Sequence, residues 1–283
     1  MPELPEIQAH AERLTHDFAG RSLSSFKTLS FTALKTFDPR PDDAYGSSLV
    51  TVDHRGKYLV MNFASVRFVV HLMQGGRLKP DEKQSAKPRG GLCRWVFDQG
   101  AALLLTEAGT EKKAGVWVVR ADADIAPGST LEPFVGLGPD ANHLSVDELS
   151  ALLGTHSMRL HGLLRDQHIV AGLGRRLANE ICHRAKLSPF ANAKKLTASE
   201  VGALHHAISA CIDESLTYER SRPDMSSSKE RPGAVHHRDG EACPVCEDRV
   251  RGVEYVRYTV NYCATCQTGG KVLADNTTSK FLK

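Results

Sequence analysis

Leu4, Ile7, Ala11 and Leu14 recur every three or four positions near the start of the chain, the spacing of a helix with one buried face. They predict an amphipathic helix over roughly residues 3–18, with Glu3 and Glu6 at its positive end. The pattern then changes to short runs rich in Val, Phe and Leu, several of them separated by Gly-containing turns. The clearest are Leu49–Val52, Tyr58–Phe63, Phe68–Leu72, Arg94–Phe97, Ala102–Thr106 and Val116–Val119. Short strands at such intervals predict an antiparallel sandwich or barrel. Pro and Gly in Asp122–Asn142 mark a connection between two parts of the chain, after which helical signals dominate. Ser145-Val-Asp-Glu148 and Thr197-Ala-Ser-Glu200 are capping-box sequences, the second opening a helix that runs to about Tyr218. Between them Ala171-Gly-Leu-Gly174 interrupts the helical pattern and Leu177–Ala185 resumes it, while Ser221–Gly233, rich in Ser, Pro and charge, reads as a mobile loop.

Composition adds limits. The 283 residues, 41% hydrophobic and 24% charged, suffice for two globular domains. No run approaches the ~20 apolar residues of a membrane span and the start lacks a signal-peptide apolar core. The expectation is a cytoplasmic protein without a membrane partner. A net charge of +3 is too small to define a polyanion partner, but its distribution is uneven. His156–Lys195 holds eight Lys/Arg and four His against only Asp166 and Glu180. That density suits contact with a phosphate backbone, and equally a solvated basic helix face. Of the seven cysteines, Cys93, Cys182 and Cys211 lie among apolar neighbours and read as inert core residues.

The other four are organised. Cys243-Pro-Val-Cys246 and Cys263-Ala-Thr-Cys266, with sixteen residues between the pairs, have the spacing of a four-thiolate zinc site closed by a β-hairpin, redox cysteines being the alternative. Four thiolates leave no open position, so the expected ion is one structural Zn2+. In His54-Arg-Gly-Lys57, Gly56 is placed to turn the chain before a strand, and Lys57 is either a phosphate ligand or a solvated strand-end lysine. Gly172-Leu-Gly174-Arg175-Arg176, at a break between helices, suits anion binding by backbone N–H groups or is an ordinary helix turn. Finally, the chain begins Met-Pro-Glu. Removal of Met1 would leave Pro2 as a secondary amine titrating near ~8, nucleophilic at physiological pH, with Glu3 beside it to move protons. On these residues alone, a helix-start proline followed by a dipole-complementing glutamate is the plainer reading.

Taken together and in this order, Met1–Glu6, Lys57, His71–Gly76, Asp166–Glu180, Val235–Cys243 and the four cysteines resemble the formamidopyrimidine-DNA glycosylase/endonuclease VIII family, over nearly the whole chain. The resemblance implies an α+β multidomain fold: an N-terminal helix plus antiparallel β-sandwich, then a helix-two-turn-helix domain with a zinc-ribbon-like β-hairpin finger. The expected boundaries are a catalytic domain at 1–121, a connection at 122–142, a helix-two-turn-helix domain with mobile loop at 143–232, the finger at 233–267 and a tail at 268–283. The implied activity is that of a base-excision DNA glycosylase with abasic-site lyase activity, acting as a nucleoid-associated monomer on damaged double-stranded DNA held between its domains. Pro2 would attack the sugar, Glu3 would protonate its ring oxygen, and Glu6 and Lys57 would complete the catalytic set. Arg175 and the finger would hold phosphates.

The departures from the family's pattern are informative. Arg175 stands where that turn usually carries Asn, and Tyr258 where the finger usually carries Arg, with Arg257 one residue earlier. Where purine-lesion enzymes read His-Leu-Gly-Met, this chain reads His71-Leu-Met73-Gln74. Thr106–Gly115, with Lys112 and Lys113, lacks an aromatic wedge. Gln74, with Met73 unless that residue is core, is the expected wedge into the gap left by a flipped base; Lys112 and Lys113 are expected DNA contacts, and so is Arg257 if the hairpin has shifted by one residue. These changes leave the lesion open and motivate an alternative, a zinc-finger protein that recognises damaged DNA without catalysis. A proton-shuttling tautomerase shares only the Met-Pro start.

Overall fold

A computed structural model describes residues 1–225, 230–256 and 258–273. Arg257, one of the expected DNA contacts, lies outside the described residues, as does part of the loop expected at Ser221–Gly233. The chain forms two compact units, Met1–Gly136 and Leu137–Lys283.

In the first unit, helix α1 (Leu4–Phe18) buries Leu4, Ile7, Ala11, Leu14 and Phe18 along one stripe. Eight strands follow: β1 (Leu23–Thr28), β2 (Thr51–Arg55), β3 (Tyr58–Asn62), β4 (Val66–His71), β5 (Gly76–Pro80), β6 (Gly91–Phe97), β7 (Ala102–Glu107) and β8 (Gly115–Arg120). They make two four-stranded sheets, ordered β1-β6-β7-β5 and β2-β3-β4-β8, with antiparallel neighbours throughout. The apolar faces meet through aromatic rings. Phe26 of β1 and Trp95 of β6 pack on Phe68 of β4 at centroid distances of 5.3 and 5.8 Å. Such tilted and edge-on pairs add to the area they bury.

Two polar ties fix α1 to the sandwich. The Thr15 hydroxyl accepts from Val52 N–H at 2.8 Å and donates to Val52 C=O at 3.1 Å, locking the helix to β2. The buried His10 ring bonds the Leu78 carbonyl of β5 at 2.8 Å. One helix is thereby held to an edge strand of each sheet, and its first turn inherits that rigidity.

The second unit contains α2 (Val146–Thr155), α3 (Leu160–Arg165), α4 (Arg175–Arg184) and α5 (Ala198–Arg220). The hairpin of β9 (Val250–Tyr255) and β10 (Tyr258–Cys263) follows, then the single turn α6 (Ala264–Thr268). Both expected capping boxes form: Ser145 accepts from Glu148 N–H and Thr197 from Glu200 N–H, while each glutamate accepts in return. Between α3 and α4, Gln167 accepts from Gly172 N–H at 3.1 Å and donates to the Leu173 carbonyl at 2.7 Å. Gly172 has φ 96°, a conformation L side chains rarely adopt, so this residue makes the turn possible. Among the described residues no helix is long and apolar enough to cross a membrane.

Candidate functional site

In the first unit the candidate catalytic residues gather at the start of α1. Glu3 is the N-cap residue, extended at φ −110° and ψ 178°, and Glu6 three residues on accepts from its backbone N–H at 3.0 Å. Both carboxylates are buried, and Pro2, half-buried, precedes them behind an exposed Met1. A helix start leaves N–H groups without helical partners, so this is a place that favours carboxylates. The main chain on the C-terminal side of Pro2 is therefore clamped by Glu6.

Lys57 is the second residue of the two-residue turn joining β2 to β3, where Arg55 pairs with Tyr58 and Gly56 takes φ 56°. It is 4% exposed, so it is not a solvated lysine at a strand end. His71 lies across the sheet with its ring 4.6 Å from that of Tyr58. Burial, and then the charge of Lys57, push the His71 imidazole down to about 4. A neutral His71 uses Nδ1 to accept from Met73 N–H at 3.3 Å.

That bond shapes the loop after β4. Met73 adopts φ 52°, a left-handed conformation costing a side-chain-bearing residue on the order of 1 kcal/mol. The left-handed position is one that favours the Gly of the His-Leu-Gly-Met motif; here methionine fills it, half-buried, while Gln74 is exposed. Of the two expected wedge residues, Gln74 is the one the turn exposes. The other expected loop is pinned by Glu107, whose Oε2 accepts from Lys113 N–H at 2.6 Å and Ala114 N–H at 2.8 Å. Lys112 is half-buried, and exposed Lys113 forms a surface ion pair with Glu111 at 2.9 Å.

In the second unit α4 organises the site. Arg175 is its first residue, exposed, behind Gly174 as N-cap. Arg176, Asn179, Glu180 and His183, spaced at helical intervals, all bond towards the finger. Arg176 donates to the Arg231 carbonyl and, at 2.6 Å, to that of Pro232. Asn179 bonds the His236 ring at 2.9 Å. Glu180 accepts from three consecutive N–H groups, Ala234 at 2.7, Val235 at 3.1 and His236 at 2.8 Å. His183 Nε2 lies 3.3 Å from Cys243 Sγ.

The four organised cysteines converge, with all Sγ atoms within 4.8 Å of one another. Neighbouring separations are 3.3 Å for Cys246–Cys263, 3.4 Å for Cys246–Cys266 and 3.9 Å for Cys243–Cys266. Sulfurs ~2.3 Å from a tetrahedral zinc lie about 3.8 Å apart, so the cluster fits such an ion. The Cys243 thiol is held below its ordinary value although burial opposes this, because the N–H groups of Val245 and Cys246 and the His183 ring face its sulfur. Burial raises Cys263, to about 11, and Cys266 within the cluster, and it pushes the Cys93 and Cys211 thiols of the core up to about 12 and Cys182 higher still.

Arg176, grouped in the sequence with the anion-binding turn, is buried and bonds the Arg231 and Pro232 carbonyls instead, and sequence reasoning did not single out Glu180 or His183. Their partners lie 54 to 60 residues away, and only the abrupt Glu within a basic segment marked the position.

The two units define a class: a β-sandwich carrying a carboxylate-capped N-terminal helix, and a helix-two-turn-helix unit completed by a four-cysteine hairpin. Residues 1–110 match the model of the formamidopyrimidine-DNA glycosylase N-terminal domain, and residues 135–226 that of the formamidopyrimidine-DNA glycosylase H2TH domain. An "uncharacterized formamidopyrimidine-DNA glycosylase-like protein" of Mycobacterium tuberculosis is 41% identical over 149 residues, which span 52% of this chain and 94% of that protein. The formamidopyrimidine-DNA glycosylase of Chloroflexus aurantiacus is 25% identical over 94% of this chain and 98% of its own length. Among solved structures, the Lactococcus lactis enzyme in complex with DNA containing N7-benzyl-Fapy-dG superposes with a TM-score of 0.82 at 19% identity, covering 94% of this chain and 100% of that one. The same enzyme bound non-covalently to DNA containing an AP site gives 0.80 at 20% identity, covering 94% and 99%. The chain belongs to the formamidopyrimidine-DNA glycosylase/endonuclease VIII family.

Proposed function

We propose that the chain, once Met1 is removed, is a base-excision DNA glycosylase with abasic-site lyase activity on damaged double-stranded DNA. The observation that carries this reading is the clamped start of α1: Pro2 beside a buried Glu3 whose N–H is held by Glu6 at 3.0 Å. The damaged nucleotide is extruded from the stack, because its C1′ is shielded inside the duplex. The Pro2 amine forms a bond to C1′ as the glycosidic bond breaks and its electron pair leaves with the base, which takes up a proton. Glu3 takes up the proton that the Pro2 nitrogen sheds on forming that bond and gives it to the ring oxygen as the sugar opens to the iminium, and Glu6 keeps the backbone of Glu3 in place. Loss of a C2′ proton then expels the 3′ phosphate, and hydrolysis of the iminium frees Pro2.

Lys57, near enough to His71 to lower its affinity for protons, supplies a desolvated cation for a phosphate flanking the lesion. Arg175 at the α4 N-terminus is a second phosphate contact, Lys112 and Lys113 are contacts on the Glu107-pinned loop, and Gln74 enters the space of the flipped base. Cys243, Cys246, Cys263 and Cys266 hold one zinc ion, which fixes the hairpin and takes no part in the chemistry.

Incubation with duplex DNA containing an abasic site and borohydride tests the reading, since reduction of the iminium leaves a covalent adduct. Wild-type protein lacking Met1 should be trapped at Pro2. Glu3→Gln should lower trapping at least 100-fold, within the 10²–10⁴ span of general acid–base catalysis. DNA binding without any adduct would replace this reading with a non-catalytic damage-recognition protein.

A further inference from the structure

The finger hairpin ends in an aromatic pair. Tyr255 and Tyr258 pair at the end of the hairpin, rings stacked at 4.8 Å and 12°. Helix α3 addresses both. Arg159, just before it, donates to the Tyr255 hydroxyl at 2.5 Å. Arg165, its last residue, places Cζ 3.8 Å from the centroid of the Tyr258 ring, and His161 of the same helix stacks on that ring at 6.0 Å and 17°. Among the described residues, no carboxylate or hydrogen-bond acceptor pairs with the guanidinium of half-buried Arg165.

A guanidinium over an aromatic ring uses its π face and leaves its in-plane N–H fork for another partner, and that fork matches a phosphate. The stack also fixes a side chain that would otherwise lose much rotamer freedom on binding. Among the described residues no anion pairs with this charge, so the half-buried guanidinium is left for water or for a ligand.

We propose that Arg165, held on Tyr258, contacts a backbone phosphate of the bound DNA, so that the finger supplies the aromatic platform and α3 supplies the cation. The inference rests on the DNA-binding reading above and names a contact within it. It also gives the tyrosine at this hairpin position a role, as the support for an arginine delivered from elsewhere in the unit.

The test is the salt dependence of binding to a duplex carrying a stable abasic-site analogue, followed by fluorescence anisotropy on the zinc-loaded full chain. Each phosphate contact contributes about −0.9 to the slope of log K against log salt. Arg165→Gln should lower the steepness by about 0.9, so that between ~50 and ~200 mM salt it loses about 3.5-fold less affinity than wild type. Arg165→Lys should keep the slope. Tyr258→Leu should weaken binding and Tyr258→Phe should not, with melting temperatures checking that each variant is folded. A wild type that binds steeply while Arg165→Gln keeps the full slope overturns this assignment alone. A wild type with no salt-dependent DNA binding overturns the parent reading and this one together.

Discussion

Replacing Glu180 by Ala removes the acceptor for three consecutive backbone N–H groups, those of Ala234, Val235 and His236. Val235 and His236 are buried, so their N–H groups lose a carboxylate in a place that water reaches poorly. Bonds to a charged acceptor have a net worth of roughly 1.5–3 kcal/mol each, and an orphaned buried donor costs about 1–3 kcal/mol. Glu180 itself is half-buried, so water partly fills the space it leaves; taking about 1 kcal/mol per donor gives ~3 kcal/mol. For a unit of this size that is a fall in melting temperature of roughly 6–12 °C. Glu180→Gln keeps one acceptor oxygen but sets an amide N–H against a backbone N–H, so about half the loss, ~1–2 kcal/mol, is expected. Thermal unfolding followed by circular dichroism on zinc-loaded protein measures both. An alanine variant melting within about 1 °C of wild type would refute the reasoning, because it would mean that the approach to the finger holds its place without α4.

Two further outcomes are expected. His71, His161 and His236 are held down to about 4, 3 and 3, first by burial and then by neighbouring charge, that of Lys57 for His71, Arg165 for His161 and His237 for His236. The unfolded chain therefore binds protons that the native chain refuses, so stability is full above about 6.5 and drains as pH falls towards 4 for His71 and towards 3 for the other two. His71→Gln should flatten the melting temperature against pH over that window, and an unchanged slope would sink the assignment of His71 as a buried neutral ring. Elemental analysis should find one zinc per chain, and prolonged chelation should lower the melting temperature by several degrees and weaken DNA binding. Chelated protein with an unchanged melt and unchanged binding would exclude a structural metal.

The legible parts of this chain are those whose signal is local. Leu4, Ile7, Ala11 and Leu14 name the buried stripe of α1 directly, and four cysteines in two pairs name their own cluster because a metal ligand set constrains spacing. In the first unit two strands were missed for physical reasons. In β1 the buried residues are Leu23 and Phe26, three apart, because the register slips between Leu23 and Ser25 and the alternation of a strand is broken. Strand β5 is an edge strand reading Gly-Arg-Leu-Lys-Pro, with the charge and proline that guard an edge and disguise a strand. Helix α3, six residues with a glycine inside, is too short to show a period.

The least legible feature is the polar stripe of α4, and it has the largest structural consequence. By composition Arg176, Asn179, Glu180 and His183 would be assigned to a solvated face, yet three of them are buried and all four bond to residues between 231 and 243. Periodicity cannot distinguish a polar face bathed in water from one paired with polar groups 54 to 60 residues later, because burial of a polar residue depends on its partner rather than on itself. The same helix begins at Arg175, and His161, stacked on Tyr258 of the hairpin, also faces the Arg175 backbone. The α4 N-terminus, the run into the finger and the hairpin tip are thus tied at both ends of one short helix. Loosening either tie should move the candidate phosphate contacts at Arg165 and Arg175 relative to one another. Glu180→Ala would then weaken DNA binding without removing a charge that faces DNA, and the salt slope would stay near the wild-type value while affinity at every salt concentration fell.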